Sequence, residues 1–242
     1  QLLKLAFPIA LQSLMLAAVA AGDALMLGKV AQNEMTAVSL ATQIQFVQNM
    51  FLSAVTGAGA ILGAQYWGKG DRRTLEDVFN MMLRLCGLVS VMFFLACELM
   101  PELLMHIFTH DAALIAIGSS YLRVAGWSYL LTGISQCYLT VMKVSDHVRP
   151  GALISCCAVV LNIGLNAVFI FGLLGAPRMQ ARGAALATTI SRVVELGLCL
   201  MMTTGSSYIR PVFGRFLKQP RELKSDFARQ CLPLLGGCLC WG

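Results

Sequence analysis

The sequence predicts an all-α, polytopic membrane protein: one lobe of six transmembrane helices followed by the start of a seventh. Three observations carry that prediction. Of the 242 residues, 57% are hydrophobic and only 12% are charged, about half the roughly 25% charged content usual in soluble domains. The mean hydropathy of +0.73 agrees. In water, a chain of this size would have more apolar surface than a single core could hide, so lipid must cover the excess. The apolar residues also fall in continuous runs of about 20 residues, the length needed to cross about 30 Å of hydrocarbon. Continuous runs favour helices over a barrel, because a helix satisfies its own backbone groups in lipid. Finally, the basic residues collect in alternate connections, the pattern of a chain threading back and forth across a membrane.

The six spans run approximately from Leu5 to Gly28, Ala37 to Leu62, Val78 to Cys97, Ser119 to Val141, Gly151 to Gly175 and Gly183 to Thr204, with a seventh starting near Cys231. The first is too long for a cleaved signal peptide and carries an internal Asp23. The second ends in GAQYWGKGD, where Gly63, Gly68 and Lys69 have most of the spacing of an ATP-binding P-loop. Gly70 stands where such a loop needs a hydroxyl for Mg²⁺, and a helix precedes it where a strand belongs. The stretch reads instead as a helix end: Tyr66 and Trp67 at headgroup level, Gly68 closing the helix, and Lys69, Arg72 and Arg73 keeping the loop cytoplasmic.

Between the third and fourth spans, PELLMHIF reads as an amphipathic interfacial helix. His106 and His110 lie four residues apart there, with Asp111 adjacent; if helical they could hold a metal, but no clear further ligand set accompanies them. The nine cysteines lie mostly within apolar runs without paired CxxC spacing, and they read as small hydrophobes.

Connections from odd to even spans carry Lys29, Arg178 and Arg182. Those from even to odd spans carry Lys69, Arg72, Arg73, Lys143, Arg149, Arg210, Arg215, Lys218, Arg221, Lys224 and Arg229. Eleven against three places the start of the chain in the cytoplasm of a cell whose plasma membrane it crosses. These loops also account for the net charge of +6, so no nucleic-acid partner is needed to explain it. No HExxH, no GxSxG and no acidic cluster suited to metal catalysis occurs, so the reading is a non-enzyme.

Residues 1–204 then form the lobe, 205–230 a basic cytoplasmic linker containing Pro211 and Pro220, and 231–242 the start of the seventh helix. ARQCLPLLGGCL after the linker is similar to the opening LLKLAFPIALQSL: a basic residue, a Leu-or-Phe/Pro pair and an apolar continuation. That restart suits a transporter built from parallel repeats. With Gln1 first and Gly242 inside an apolar run, the chain is expected to be a fragment whose second lobe is absent.

Polar residues inside the spans are the functional candidates. A buried carboxylate in lipid is costly unless neutralised or paired, which singles out Asp23. Burial favours the protonated form of a carboxyl and a nearby cation the ionised form, so one such group can alternate between H⁺ and Na⁺ or a cationic ligand. The plainer alternative is an Asp23 solvated near the outer end. Gln12 falls on nearly the same helical face. In the fifth span Asn162 and Asn166 are spaced i, i+4. At 1.5 Å per residue from the cytoplasmic end, Asn162, Asn166 and Asp23 lie about 18, 24 and 27 Å deep, so all three could share the outer half of one cavity. Interhelical hydrogen bonding is the competing role for the two amides. Arg192 and Glu195, at i, i+3 in the sixth span, read as a structural ion pair or as part of a proton relay or substrate field. Gln43, Gln45, Gln48, Asn49, Thr188 and Thr189 are further candidates, each also explicable as helix-packing contacts.

Taken in order, LKLAFPIALQSL, GDALMLGKV, AQYWGKGDRR, VLNIGLNAVFIFG and ARGAALATTISR resemble the multidrug and toxic compound extrusion (MATE) family over essentially the whole chain. That resemblance implies twelve spans in two six-helix lobes around a central cavity. It also implies export of amphipathic or cationic compounds in exchange for Na⁺ or H⁺, with no other cofactor. By position, Asp23 matches the family's acidic residue implicated in ion coupling, Asn162 its fifth-span Asn, and Thr188 a sixth-span polar position. Asn166 stands where many members have Asp, which leaves a Na⁺ site one charge short and favours proton coupling through Asp23. A flippase for a lipid-linked precursor, of the same broad fold, is the alternative. It would need a strongly cationic cavity, for which Arg192 is the main deep positive residue.

Overall fold

The computed structural model describes residues 32–172, 175, 177–205, 208–212, 214 and 220–241. Among these residues the elements are α1 (Gln32–Gly68), α2 (Arg72–Leu99), α3 (Pro101–His106), α4 (Ala112–Val144), α5 (Val148–Phe171), α6 (Gln180–Met202) and α7 (Arg221–Trp241), with no strand. The fold is that of a polytopic all-α membrane protein, as the sequence predicts. Helices α1, α2, α5 and α6 are each long and apolar enough to cross a membrane, and they contain most of the second, third, fifth and sixth predicted spans. The first predicted span, with Gln12, Asp23 and Lys29, lies outside the described residues. Helix α1 has 37 residues, about 55 Å of helix. It extends past the apolar run at both ends because polar residues lower hydropathy without stopping a helix.

The α1–α2 turn shows how the chain reverses in so few residues. Tyr66 O accepts from Asp71 N–H at 2.9 Å and Trp67 O from Gly70 N–H at 3.0 Å, with Gly70 left-handed at φ 75°. This is a Schellman ending, which needs a residue tolerant of positive φ at that point. Asp71 then caps α2: its carboxylate accepts from Thr74 N–H at 3.1 Å and from the Thr74 hydroxyl at 2.6 Å. Helix α4 ends with the same long bond, His147 N–H to Met142 O at 2.9 Å, but the left-handed residue is Asp146, φ 62°. Its carboxylate accepts from Trp67 Nε1 at 2.9 Å, tying the two turns together. Arg72 lies over the Trp67 ring and Lys69 over Tyr66, at 5.5 and 5.6 Å. This end of the lobe, carrying both turns, is here termed the basic end.

Helix α4 occupies the centre, packed against α1, α2, α3, α5 and α6, while α5 lies mainly on α6 and α7 along α1. Two apolar clusters fill the interior. One, toward the basic end, gathers Leu52, Phe79, Met82, Tyr138, Met142 and Phe227; the other holds Val38, Leu122, Tyr129, Ile170 and Ala184. Phe79 and Tyr138 meet edge to face at 5.0 Å. Helix α2 inverts the soluble pattern, with Cys86, Ser90 and Cys97 buried while Leu88, Met92, Leu95 and Leu99 are exposed. Small residues let helices approach closely in such bundles. A Cβ on Gly133 would overlap Ser90 Oγ and stand 3.0 Å from the Cys86 carbonyl oxygen.

Two boundaries differ from the sequence reading. The PELLMHIF helix stops at His106, and Asp111 instead caps α4 by accepting from Ala113 N–H at 2.8 Å. Helix α7 begins at Arg221 rather than near Cys231, so residues 221–230, assigned to the linker, are helical. Their charges hid the pattern, but Leu223 and Phe227, one turn apart, are buried in the core.

Gly133→Ala should lower stability by about 1–3 kcal/mol through overpacking against a carbonyl that cannot move. Gly197→Ala, with nothing within 4 Å of the added carbon, should be neutral or gain up to about 1 kcal/mol. Thermal unfolding in detergent, followed by tryptophan fluorescence, separates the two. The hydrogen bonds from Thr74 hold the Asp71 carboxyl below its ordinary 3.8. The cap is therefore fully present above pH about 4 and lost as pH falls through the lowered value. Protection of the first-turn amides of α2, taken relative to their intrinsic exchange rate at each pH, should fall on acidification and, at neutral pH, in Asp71→Ala.

Candidate functional site

Polar side chains inside this lobe are matched within and between helices, and one such chain of bonds defines the site. Asn166, 0% exposed, donates from Nδ2 to Asn162 Oδ1 at 3.1 Å. Asn162, 6% exposed, donates in turn to Thr188 Oγ1 on α6 at 3.3 Å, and Thr188 donates to Ala184 O at 3.0 Å. The i, i+4 spacing on α5 makes the first bond, and the α5–α6 packing makes the second. The result is a directional chain in which each amide nitrogen feeds the next oxygen. It contains only neutral groups, so a bound Na⁺ would find oxygens here but no charge; a carboxylate must come from elsewhere. The residue expected to supply it, Asp23, lies outside the described residues.

The α5–α6 junction is built tightly enough to hold this chain. Met179 N–H donates to Phe169 O at 3.0 Å, and Gly183 sits so close to the Phe169 carbonyl that an added Cβ would be 2.8 Å from its oxygen. Across the lobe, Glu34 at the start of α1 accepts from Ala181 N–H in the first turn of α6 at 3.1 Å. An acidic group at a helix N-terminus is favoured by the helix dipole.

Farther along the same face of α6 stand Arg192 and Glu195. Glu195, 2% exposed, accepts from Arg192 Nη1 at 2.7 Å and from Ser135 Oγ on α4 at 3.2 Å. The predicted i, i+3 pair is thus present, and Ser135 is a third member that the sequence analysis did not name. Thr188, Arg192 and Glu195 share one helical face at steps of four and three, but among the described residues the asparagine chain and the ion pair are two separate groups. Gln43 is exposed on α1 and belongs to neither group. Gln48 is buried and donates to Tyr129 O at 2.9 Å, and Thr189 donates to Val124 O at 3.2 Å. Both are interhelical contacts onto α4. His106 ends α3 and His110 lies in the turn beyond, their rings 6.3 Å apart, so they do not share a helix face. Among the described residues no group of three metal-ligating side chains occurs.

A family model described as MatE matches residues 8–168. Among curated relatives, the multidrug resistance protein MdtK of Yersinia enterocolitica is 27% identical over 245 residues, covering 98% of this chain and 50% of that protein. The multidrug resistance protein NorM of Vibrio cholerae is 28% identical over 228 residues, covering 92% and 49%. An uncharacterized transporter of Bacillus subtilis, YisQ, is 26% identical over 202 residues, covering 81% and 43%. The chain therefore spans about half the length of the curated relatives it matches. Among solved structures, the bent form of the Vibrio cholerae MATE transporter VcmN superposes with a TM-score of 0.87 at 17% identity, covering 99% of this chain and 53% of that one. A MOP superfamily transporter from Pyrococcus furiosus gives 0.86 at 18%, covering 98% and 52%. These two likenesses concern the fold.

Glu195 is buried and Arg192 partly so, and removing one partner leaves the other charge uncompensated. Glu195→Ala should cost about 3 kcal/mol or more, and Arg192→Met with Glu195→Leu should recover most of that loss. Thermal unfolding of the single and double variants measures it; a double variant as unstable as the single one would contradict this account.

Proposed function

The chain belongs to the MatE family, and from that premise we propose that the full-length protein is a secondary active antiporter exporting amphipathic or cationic compounds in exchange for H⁺ or Na⁺. The observation that carries this reading is the buried Asn166–Asn162–Thr188 chain between α5 and α6. Polar groups buried within membrane-spanning helices are costly unless they serve packing or transport. Here they sit where the family resemblance assigns ion coupling, and the relatives named as multidrug resistance proteins suggest the substrate class.

In this mechanism Asp23 is the group that gains and loses charge, while Asn162, Asn166 and Thr188 orient around it. Substrate and ion compete: protonation or Na⁺ binding neutralises the carboxylate and releases a cationic substrate, and the lobes rock between inward and outward states. Because Asn166 replaces a carboxylate common in the family, the neutral chain favours H⁺ over Na⁺. The charge bias of the connections supports a cytoplasmic basic end, in keeping with the plasma-membrane location expected from the sequence. The second six-helix lobe, expected beyond residue 242, would complete the cavity. A flippase is less favoured, since Glu195 compensates Arg192 at 2.7 Å and removes the deep positive charge that reading requires.

Substrate-driven H⁺ and Na⁺ flux in proteoliposomes of the full-length protein tests this. Asp23→Asn should abolish coupling, and Asn162→Leu should reduce it about tenfold, the equivalent of one lost hydrogen bond of about 1.4 kcal/mol. Asn166→Asp should shift preference toward Na⁺. Undiminished coupled flux in Asp23→Asn would overturn the mechanism.

A further inference from the structure

The segment leaving α6 crosses the basic end of the lobe and is held there at three places. Arg210 donates from Nε to Thr203 O at 2.8 Å and from its guanidinium to Thr204 O, closing carbonyls at the end of α6. The Tyr208 ring lies 4.2 Å from that of His147, beside the α4–α5 turn. Val212 makes the third contact, with Asn80 on α2: Asn80 Nδ2 donates to Val212 O and Val212 N–H donates to Asn80 Oδ1, both at 3.1 Å. Between these contacts Ile209 is buried.

Asn80 is fully buried on α2 between Phe79 and Met81, with Asp77 also buried one turn before it and Arg84 one turn after. Its amide copies one rung of a β-ladder, matching donor to acceptor and acceptor to donor. Rotating the amide would oppose like with like, so its orientation is determined. Opening the tie would deprive the buried Asn80 amide of both partners, and a buried polar group is strongly disfavoured in that condition. Both bonds are between neutral groups; Asp77, buried one turn before Asn80, and His147, beside Tyr208, are the titratable groups near them. A contact with these properties can hold unchanged while charged sites elsewhere load and unload.

We propose that Asn80 is a positioning residue for transport: it fastens the connection between the lobes onto α2, so that residues through Val212 travel with the first lobe as the two lobes rock. The transport part of this proposal rests on the antiport reading above; the tie itself does not. It also distinguishes Asn80 from the α5 asparagines, which face another polar side chain and can exchange partners.

Hydrogen–deuterium exchange by mass spectrometry on the full-length protein in nanodiscs provides the test. The peptide containing Val212 should be protected to the same degree with and without Na⁺ and with and without substrate. Asn80→Ala should accelerate its exchange about tenfold or more while α4 peptides stay unchanged. Val212→Pro removes the donor without altering α2, which guards against a folding defect in the first variant. Both variants should lower the kcat of coupled transport several-fold with KM unchanged. Rapid exchange of the native peptide, protection unaltered in Asn80→Ala, or native kcat in Val212→Pro would each overturn the proposal. Absence of coupled flux in the native protein with the tie intact would instead reject the antiport reading.

Discussion

Hydrocarbon offers no hydrogen bonds, and this constraint organises the lobe. Each helix satisfies its own backbone, so a polar side chain within a span bonds either to its own helix or to a neighbouring one, and the bonds between helices are the ones that fix the packing. Gln48 on α1 reaches the Tyr129 carbonyl, Thr189 on α6 reaches the Val124 carbonyl, and Ser135 reaches Glu195. All three contacts involve α4. That helix is central because it supplies acceptors and a donor to its neighbours on both sides. Each contact also marks a register: sliding α1 or α6 by one turn would separate the pair and strand a polar group. Apolar packing draws the helices together without direction, whereas these bonds select one arrangement.

The basic end obeys a related rule under wetter conditions. Two short turns reverse the chain, and a residue at positive φ permits each; Gly70 does so freely, and Asp146 does so with its carboxylate engaged by Trp67. The segment beyond α6 then crosses beside them, with Tyr208 against the His147 ring and Val212 paired with Asn80. A connection rich in charge and proline reads in sequence as a loose linker. In the structure its neutral residues, Ile209 and Val212, provide much of the anchoring, together with Tyr208 and Arg210.

Much of the candidate site was legible for a simple reason. Asn162 and Asn166 stand out because amides in an apolar span are costly, and their i, i+4 spacing alone brings them to one face. Arg192 and Glu195 were paired by the same local geometry. Asn80 was equally anomalous by composition, a lone amide in VFNMML, yet its partner lies 132 positions away in sequence. Ser135 and Glu34 were overlooked for the same cause: their bonds link α4 to α6 and α1 to α6, and nothing local signals them.

By itself the sequence determined the all-α membrane class, the approximate place of the spans and the intrahelical pairs. Those follow from hydropathy and from a fixed rise and twist per residue, quantities that neighbours along the chain define. Only the tertiary structure decided which helix occupies the centre, that Thr188 meets the α5 amides, and that Arg221 already belongs to the seventh helix. These depend on which faces meet, and faces with similar apolar composition are distinguished by close approach at glycines and by the few polar groups that lipid leaves unsatisfied.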